Sequence, residues 1–266
     1  MRFESLEPPS HMANLSGIAR ETLIGKLLRV PLRLIPKTMV VPILQGALRG
    51  KKWTVGSATH GCWLGSYEYH KQKALQKELE IGDVVYDIGA NVGFYSLLAS
   101  VLVGETGHVY SFEPFPENLR ELRRHLEMNR ITNCTVVDAA VSSADGHAIF
   151  DPSDDRCTGR LAANGSIPVR TVALDGLVLR KEIRPPTLLK IDIEGAELEC
   201  LQGASNSIQE YRPLIFLATH GQEIHSSCTE LLTNWNYQLV SLDGKPLEST
   251  DEIVARPKDR SRPATI

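Results

Sequence analysis

Asp87, Glu113, Asp192, Glu194 and His220 each stand at or just beyond the end of an apolar run, and each can hold a cation, accept a hydrogen bond or move a proton. Asp87 follows Val84-Val85-Tyr86 and opens the stretch Asp87-Ile88-Gly89-Ala90-Asn91-Val92-Gly93. A strand that runs into two glycines and then a helix brings together a fixed carboxylate, backbone without side-chain bulk and a helix N-terminus. Such a point suits a nucleotide-like ligand. Further on, Lys190-Ile191-Asp192-Ile193-Glu194 alternates charge with isoleucine, so Lys190, Asp192 and Glu194 share one side of the chain. Charges inside a strand are costly unless they are paired. His220 ends the next apolar run, Phe216-Leu217-Ala218-Thr219-His220, and is expected at the same edge.

These residues need a scaffold that carries strand ends to one place. Strands are expected at 84–88, 108–112, 134–139, 187–193 and 213–219, alternating with helices at 93–103, 116–129, 196–202 and 224–234. That alternation defines an α/β fold, a doubly wound, mostly parallel, Rossmann-like sheet. A terminal antiparallel hairpin across 237–254 brings it to seven strands. The alternation is interrupted by a short segment at 147–150, a polar run at 151–166 expected as a surface loop, and a strand at 167–174.

Upstream, residues 15–28 place apolar side chains at helical spacing until Pro31, an amphipathic helix expected to pack on the main domain or on a second copy, as in a homo-oligomer. Residues 39–48 read as a strand or buried connector, and 51–69, rich in Gly, Trp and Tyr, as an irregular flap. Its aromatics would either floor a sugar site or cover the sheet edge. A polar helix follows at 71–79. The chain thus divides into an N-terminal helix and flap (1–70), a main domain (71–255) and a disordered tail (256–266).

The nucleotide fingerprint G-x-G-x-x-G is missing, which disfavours a dinucleotide such as NAD and the oxidoreductase reading with it. S-adenosylmethionine, with a ribose, an adenine and a charged amino-acid end but no pyrophosphate, fits better. Asp87 would accept from its ammonium, directly or through water, while Gly89 and Gly93, without side-chain bulk, admit it to the backbone. Glu113 would take both ribose hydroxyls, although a carboxylate there also serves NAD. Asp138, followed by Ala139 and Ala140, would meet the adenine edge or act as a turn residue or cap.

Methyl transfer to a hydroxyl needs a base for the hydroxyl's proton, and Asp192 or His220 could serve. Alternatively Asp192, Glu194 and His220 could hold a divalent metal that orients and acidifies the hydroxyl. Oxygen-rich Mg²⁺ sites seldom use His, which weighs against that version. The structural readings are that Lys190 neutralises Asp192, that Glu194 caps the next helix and that His220 is only hydrogen-bonded.

Together these blocks, with Ser111-Phe112-Glu113-Pro114, Asn118 and Leu189-Lys190-Ile191-Asp192-Ile193-Glu194-Gly195-Ala196-Glu197, resemble the FkbM family of S-adenosylmethionine-dependent methyltransferases over roughly residues 80 to 220. The resemblance implies the class I methyltransferase fold, O-methylation of a hydroxyl on a saccharide or secondary metabolite, and cofactor contacts at Asp87, Gly89, Asn91 and Glu113. The family commonly carries Glu two residues before the His, where this chain has Ala218. That departure weakens the metal reading and leaves room for a catalytically silent binding module. The alternative acceptor for the same cofactor is a nitrogen or a carboxylate; the signature Asn/Asp-Pro-Pro-Tyr/Phe of N-methylation is absent after the fourth strand, which argues against nucleobase amines.

Composition sets the remaining bounds. A formal charge of -3 gives no sign of nucleic acid as a partner, so a small-molecule or glycan acceptor is expected. Five scattered cysteines without C-x-x-C indicate a reducing cytoplasm and no zinc site. No stretch reaches the ~20 apolar residues of a membrane span. Charges interrupt the N-terminal apolar residues, unlike a signal peptide. Ser10-His11-Met12 has the look of a vector remnant, which would put the natural start at Met12.

Overall fold

The computed structural model describes residue 32 and residues 34–152, 159–161 and 165–258. The expected N-terminal amphipathic helix and most of the 151–166 loop lie outside the described residues. In chain order the elements are β1 (Val40–Pro42), β2 (Lys52–Thr54), α1 (His60–Leu64), α2 (Tyr69–Glu78), β3 (Val84–Ile88), α3 (Phe94–Val103), β4 (His108–Phe112), α4 (Pro116–Met128) and β5 (Cys134–Val137). Then come β6 (Ala140–Val141), β7 (Gly146–Asp151), β8 (Arg160–Leu161), β9 (Ile167–Val172) and α5 (Leu174–Leu179). The last part holds β10 (Leu188–Ile191), α6 (Glu197–Gly203), α7 (Ser205–Tyr211), β11 (Leu214–Ala218), α8 (Gln222–Asn234), β12 (Tyr237–Ser241) and β13 (Glu252–Pro257).

The main sheet has seven strands in the order β12-β13-β11-β10-β3-β4-β5, all running the same way except β13, which pairs antiparallel with both β11 and β12. Strand β3 is buried throughout and feeds two cores through its period of two. Tyr86 and Ile88 join Leu201, Ile208 and Leu232 on one face, while Val85 joins Leu97, Leu98 and Phe216 on the other. The winding reverses between β3 and β10, and a ligand crevice forms outside the carboxyl ends of strands at such a reversal. Helix α4 begins with Pro116 and Glu117, which suit a first turn, and presses Leu119, Leu122 and Leu126 onto Ala90.

The flap is more regular than its composition indicates. Residues 51–69 contain β2 and α1, and β2 is fastened to α4 through Asn129, which accepts from Lys52 N–H at 2.7 Å and donates to its carbonyl at 2.9 Å. Trp53 is fully buried, with its ring stacked 3.8 Å from His125. The flap aromatics thus mainly cover the sheet, and Tyr67 alone of those named here reaches a cavity. Two further differences are local. Residues 167–174 split into β9 and the start of α5, and β9 belongs to a separate four-stranded sheet, β6-β9-β7-β8. The last strand runs through Pro257, beyond the expected start of the tail, because Arg256 is held by Glu78 at 2.8 and 2.9 Å.

Candidate active site

Asp87 and Lys190 are directly opposed in the β3–β10 register. Lys190 Nζ lies 3.2 Å from Asp87 Oδ1 and donates to the Gly89 carbonyl at 2.9 Å. The other Asp87 oxygen accepts from Ser96 Oγ at 2.6 Å, and Ser111 donates to Ser96 at 2.8 Å. At 1% exposure Asp87 borders neither of the cavities described below. It braces the turn through Lys190 from behind these cavities. Burial alone would push the Lys190 amine down, but Asp87 and Asp192 more than offset this and raise it. Lys190 is 4.0 Å from Asp192, so its first partner is Asp87 and not Asp192 as expected.

The turn itself depends on close approach. Gly89 has φ +75°, and a Cβ there would stand 2.0 Å from the Asp192 carbonyl oxygen. Gly93 borders neither cavity, and a Cβ there would stand 2.3 Å from Leu122 Cδ1 on α4. Asn91 donates its N–H to Glu113 Oε2 at 2.8 Å. Glu113 Oε1 accepts from Phe115 N–H at 2.9 Å and from Asn118 at 3.4 Å. Burial pushes the Glu113 carboxyl up to about 7, against the pull of those hydrogen bonds.

Gly89, Asn91, Glu113, Ala139, Phe150 and Ile193 are among the residues lining a narrow slot of ≈ 50 Å³. Asp138 is absent from that lining. It is half exposed and paired with Arg123, because alternation after β5 turns Ala139 inward and Asp138 out.

A wider cavity of ≈ 240 Å³ adjoins the slot, with Tyr67, Glu68, Asp192, Glu194, His220 and Glu252 in its wall. Behind it Lys71, only 4% exposed, lies 2.6 Å from Glu252, 3.0 Å from Glu68 and 3.4 Å from Asp192. Burial would push Asp192 up, but Lys190, Lys71 and His220 outweigh it and hold its carboxyl below the ordinary value.

His220 Nδ1 lies 2.8 Å from Glu197 Oε1, and Nε2 lies 3.5 Å from Glu194 and 3.7 Å from Asp192. The Glu197 hydrogen bond and the surrounding carboxylates push His220 up to about 9 despite its burial. That favours the imidazolium form at neutral pH and makes Asp192 the better placed of the two candidate bases. Glu197, fully buried, also accepts from the N–H groups of Gly195 (3.0 Å) and Ile193 (3.4 Å). It holds the helix entrance, the task expected of Glu194, which instead has φ +54°. Ligand atoms of Asp192, Glu194 and His220 lie within 4.8 Å of one another, close enough to share a cation. Lys71, Glu68, Tyr67, Glu197 and Glu252 complete the site without having been singled out from the sequence for it. Their partners are remote in the chain, and only the β11–β13 register, which sets Glu252 opposite Ala218, would have revealed one of them.

Strand order, turn and flanking cavities define a class I methyltransferase fold. Residues 87–239 match the methyltransferase FkbM domain, and the chain belongs to that family. It is 29% identical over 165 residues to hexuronic acid methyltransferase AglP of Haloferax volcanii, covering 60% of this chain and 66% of that one. It is also 29% identical over 164 residues to 31-O-demethyl-FK506 methyltransferase FkbM of Streptomyces tacrolimicus, covering 49% and 62%. The chain thus spans just under two thirds of the length of these curated relatives. Among solved structures, methyltransferase FkbM of Methylobacillus flagellatus is 22% identical with a TM-score of 0.49, over 67% of this chain and 44% of that one. Among the described residues no helix is long and apolar enough to cross a membrane.

Proposed function

We propose that this protein transfers the methyl group of S-adenosylmethionine to a hydroxyl of a saccharide or secondary metabolite. The observation that carries this reading is that the slot and the wider cavity share Gly89, Asn91, Asp192 and Glu194 as lining. A donor with its adenosyl group in the slot presents its methyl at that junction, facing an acceptor in the cavity. Ligand sites usually measure ~300–1,000 Å³. The slot, at ≈ 50 Å³, must therefore widen, and Ala140, Val141 and Phe150 form the side of it contributed by the four-stranded sheet. The relatives' names, which specify a hexuronic acid and 31-O-demethyl-FK506, support an acceptor in this range.

The acceptor oxygen attacks the methyl carbon in line with the carbon–sulfur bond. A carbon–oxygen bond forms, the carbon–sulfur bond breaks, and the thioether leaves neutral, needing no acid. The oxygen's proton passes to Asp192. An alkylated hydroxyl is far more acidic than a carboxylic acid, so even a carboxylate held below its ordinary range accepts it. Lys71 and protonated His220 keep Asp192 charged, and placement of the two substrates supplies much of the acceleration. No metal is needed for this step. The reading is tested by calorimetry with S-adenosylhomocysteine and by incubating methyl-labelled S-adenosylmethionine with fractionated extract, followed by mass spectrometry. Absence of saturable binding sinks it, and binding without turnover on any acceptor pool identifies a silent module.

A further inference from the structure

We propose that the acceptor bears a protonated amine beside its hydroxyl, as an amino sugar does, and that uronates are excluded. This rests on reading the wider cavity as the acceptor site.

The wall of that cavity is dominated by carboxylates: Glu68, Asp192, Glu194, Asp251 and Glu252 line it, against Lys190 and His220. Both cations already face carboxylates, and His220 Nε2 has Glu194 at 3.5 Å and Asp192 at 3.7 Å. Lys190 is fixed between Asp87 and the Gly89 carbonyl, and His220 is held at 2.8 Å by the buried Glu197, a carboxylate outside the lining. Lys71 adds one further charge but shares it among Glu68, Asp192 and Glu252, and is itself only 4% exposed. The crowding is felt by the acids themselves. Burial raises the Glu252 carboxyl, and the charges of Glu68 and Asp192 add to the rise against the pull of Lys71. S-adenosylmethionine has two positive groups and one negative, so its arrival offsets a single carboxylate.

A second feature points to a cation. Tyr67 lies beside these acids with Phe94 in edge-on contact at 5.3 Å, and both line the cavity. Aromatic rings together with carboxylates recognise ammonium groups. The volume, ≈ 240 Å³, suits a single ring-sized unit. A uronate in the same place would set a further carboxylate among these acids, and like charges facing one another reject a partner strongly.

The probes are methyl α-glucosaminide, methyl α-glucoside and methyl α-glucuronide, titrated by saturation-transfer NMR into the protein with and without saturating S-adenosylhomocysteine. The glucosaminide should bind at least ~10-fold more tightly than the glucuronide at low salt, and the gap should shrink at ~0.5 M salt. Asp251→Lys, at an exposed position, should narrow the gap from both ends. In the labelled-extract assay the product should be retained on a cation exchanger. Equal or tighter glucuronide binding, or no binding of any of the three glycosides, overturns the proposal. So does glucuronide binding gained on adding Mn²⁺, which would place a metal among Asp192, Glu194 and His220. Loss of S-adenosylhomocysteine binding with the sugar preference intact would instead refute the methyltransferase reading.

Discussion

On the proposed reading, with the ribose on Glu113, cofactor binding should depend on pH in a way that follows from the surroundings of this carboxylate. Its Oε1 is used by Phe115 and Asn118 and its Oε2 by Asn91, so of about four acceptor positions on a carboxylate roughly one remains, on Oε2. A ribose hydroxyl donating there favours the ionised form. With the carboxyl raised to about 7, roughly nine tenths is ionised at pH 8 and roughly one tenth at pH 6. S-adenosylhomocysteine should therefore bind ~10-fold more weakly at pH 6 than at pH 8, or ~1.4 kcal/mol. Stability moves the other way. The folded value lies above the ordinary 4.5, so this group's contribution is present below that value and is lost as pH rises through about 7, by up to ~3 kcal/mol. Glu113→Gln should remove both dependences. It should also weaken binding at pH 8, since its amide presents a donor to one of the N–H groups the carboxylate now accepts, at ~1–3 kcal/mol. Calorimetry with S-adenosylhomocysteine and urea unfolding, both at pH 6, 7 and 8, measure these effects. An affinity flat across that range in the parent protein, or the same slope in Glu113→Gln, would refute the argument.

Lys71→Met should cost ~3–5 kcal/mol in urea unfolding, because it strands Glu68, Asp192 and Glu252 around a buried position; a loss below ~1 kcal/mol would show that water already screens them. Gly89→Ala should abolish S-adenosylhomocysteine binding, since the new Cβ meets backbone and not a flexible side chain, and a calorimetric titration matching the parent would contradict this. Asp192→Asn should lower turnover ~10²–10⁴-fold with affinity for S-adenosylhomocysteine nearly intact, whereas His220→Asn should lower it less than ~10-fold. Equal losses would return His220 to the role of base.

The strands of the main sheet were legible because parallel strands buried on both faces read as apolar runs, as Val84–Ile88 and Leu214–Ala218 do. Their order was enough to bring Asp192, Glu194 and His220 together. Helices α5 and α7, of six and seven residues, are too short to show a period and were missed. The roles of single side chains were harder to read. The place of Asp87 at the strand end is visible in the sequence, whereas its partners Ser96 and Lys190 are brought to it only by folding. The pairing of His220 with buried Glu197 is likewise a product of the fold.

The departure at Ala218 shows how the fold constrains such readings. In an antiparallel register opposed residues project to the same face, and Glu252 is opposite Ala218. A carboxylate at 252 therefore reaches the side of the sheet that one at 218 would reach, displaced by one inter-strand spacing of ~4.8 Å. Lys71 Nζ lies 2.6 Å from it. A carboxylate is thus present on that side of the sheet although position 218 is Ala. What the departure changes is shape: the small Ala218 side chain opens the cavity next to His220, and Glu252 turns the far wall acidic. The slot proposed for the cofactor is held by backbone hydrogen bonds to Glu113 and by the Lys190 brace, and the cavity proposed for the acceptor by ion pairs on Lys71. Substitutions that change the acceptor are therefore expected on β11, β13 and the flap, where charges can be exchanged without moving the turn at Gly89.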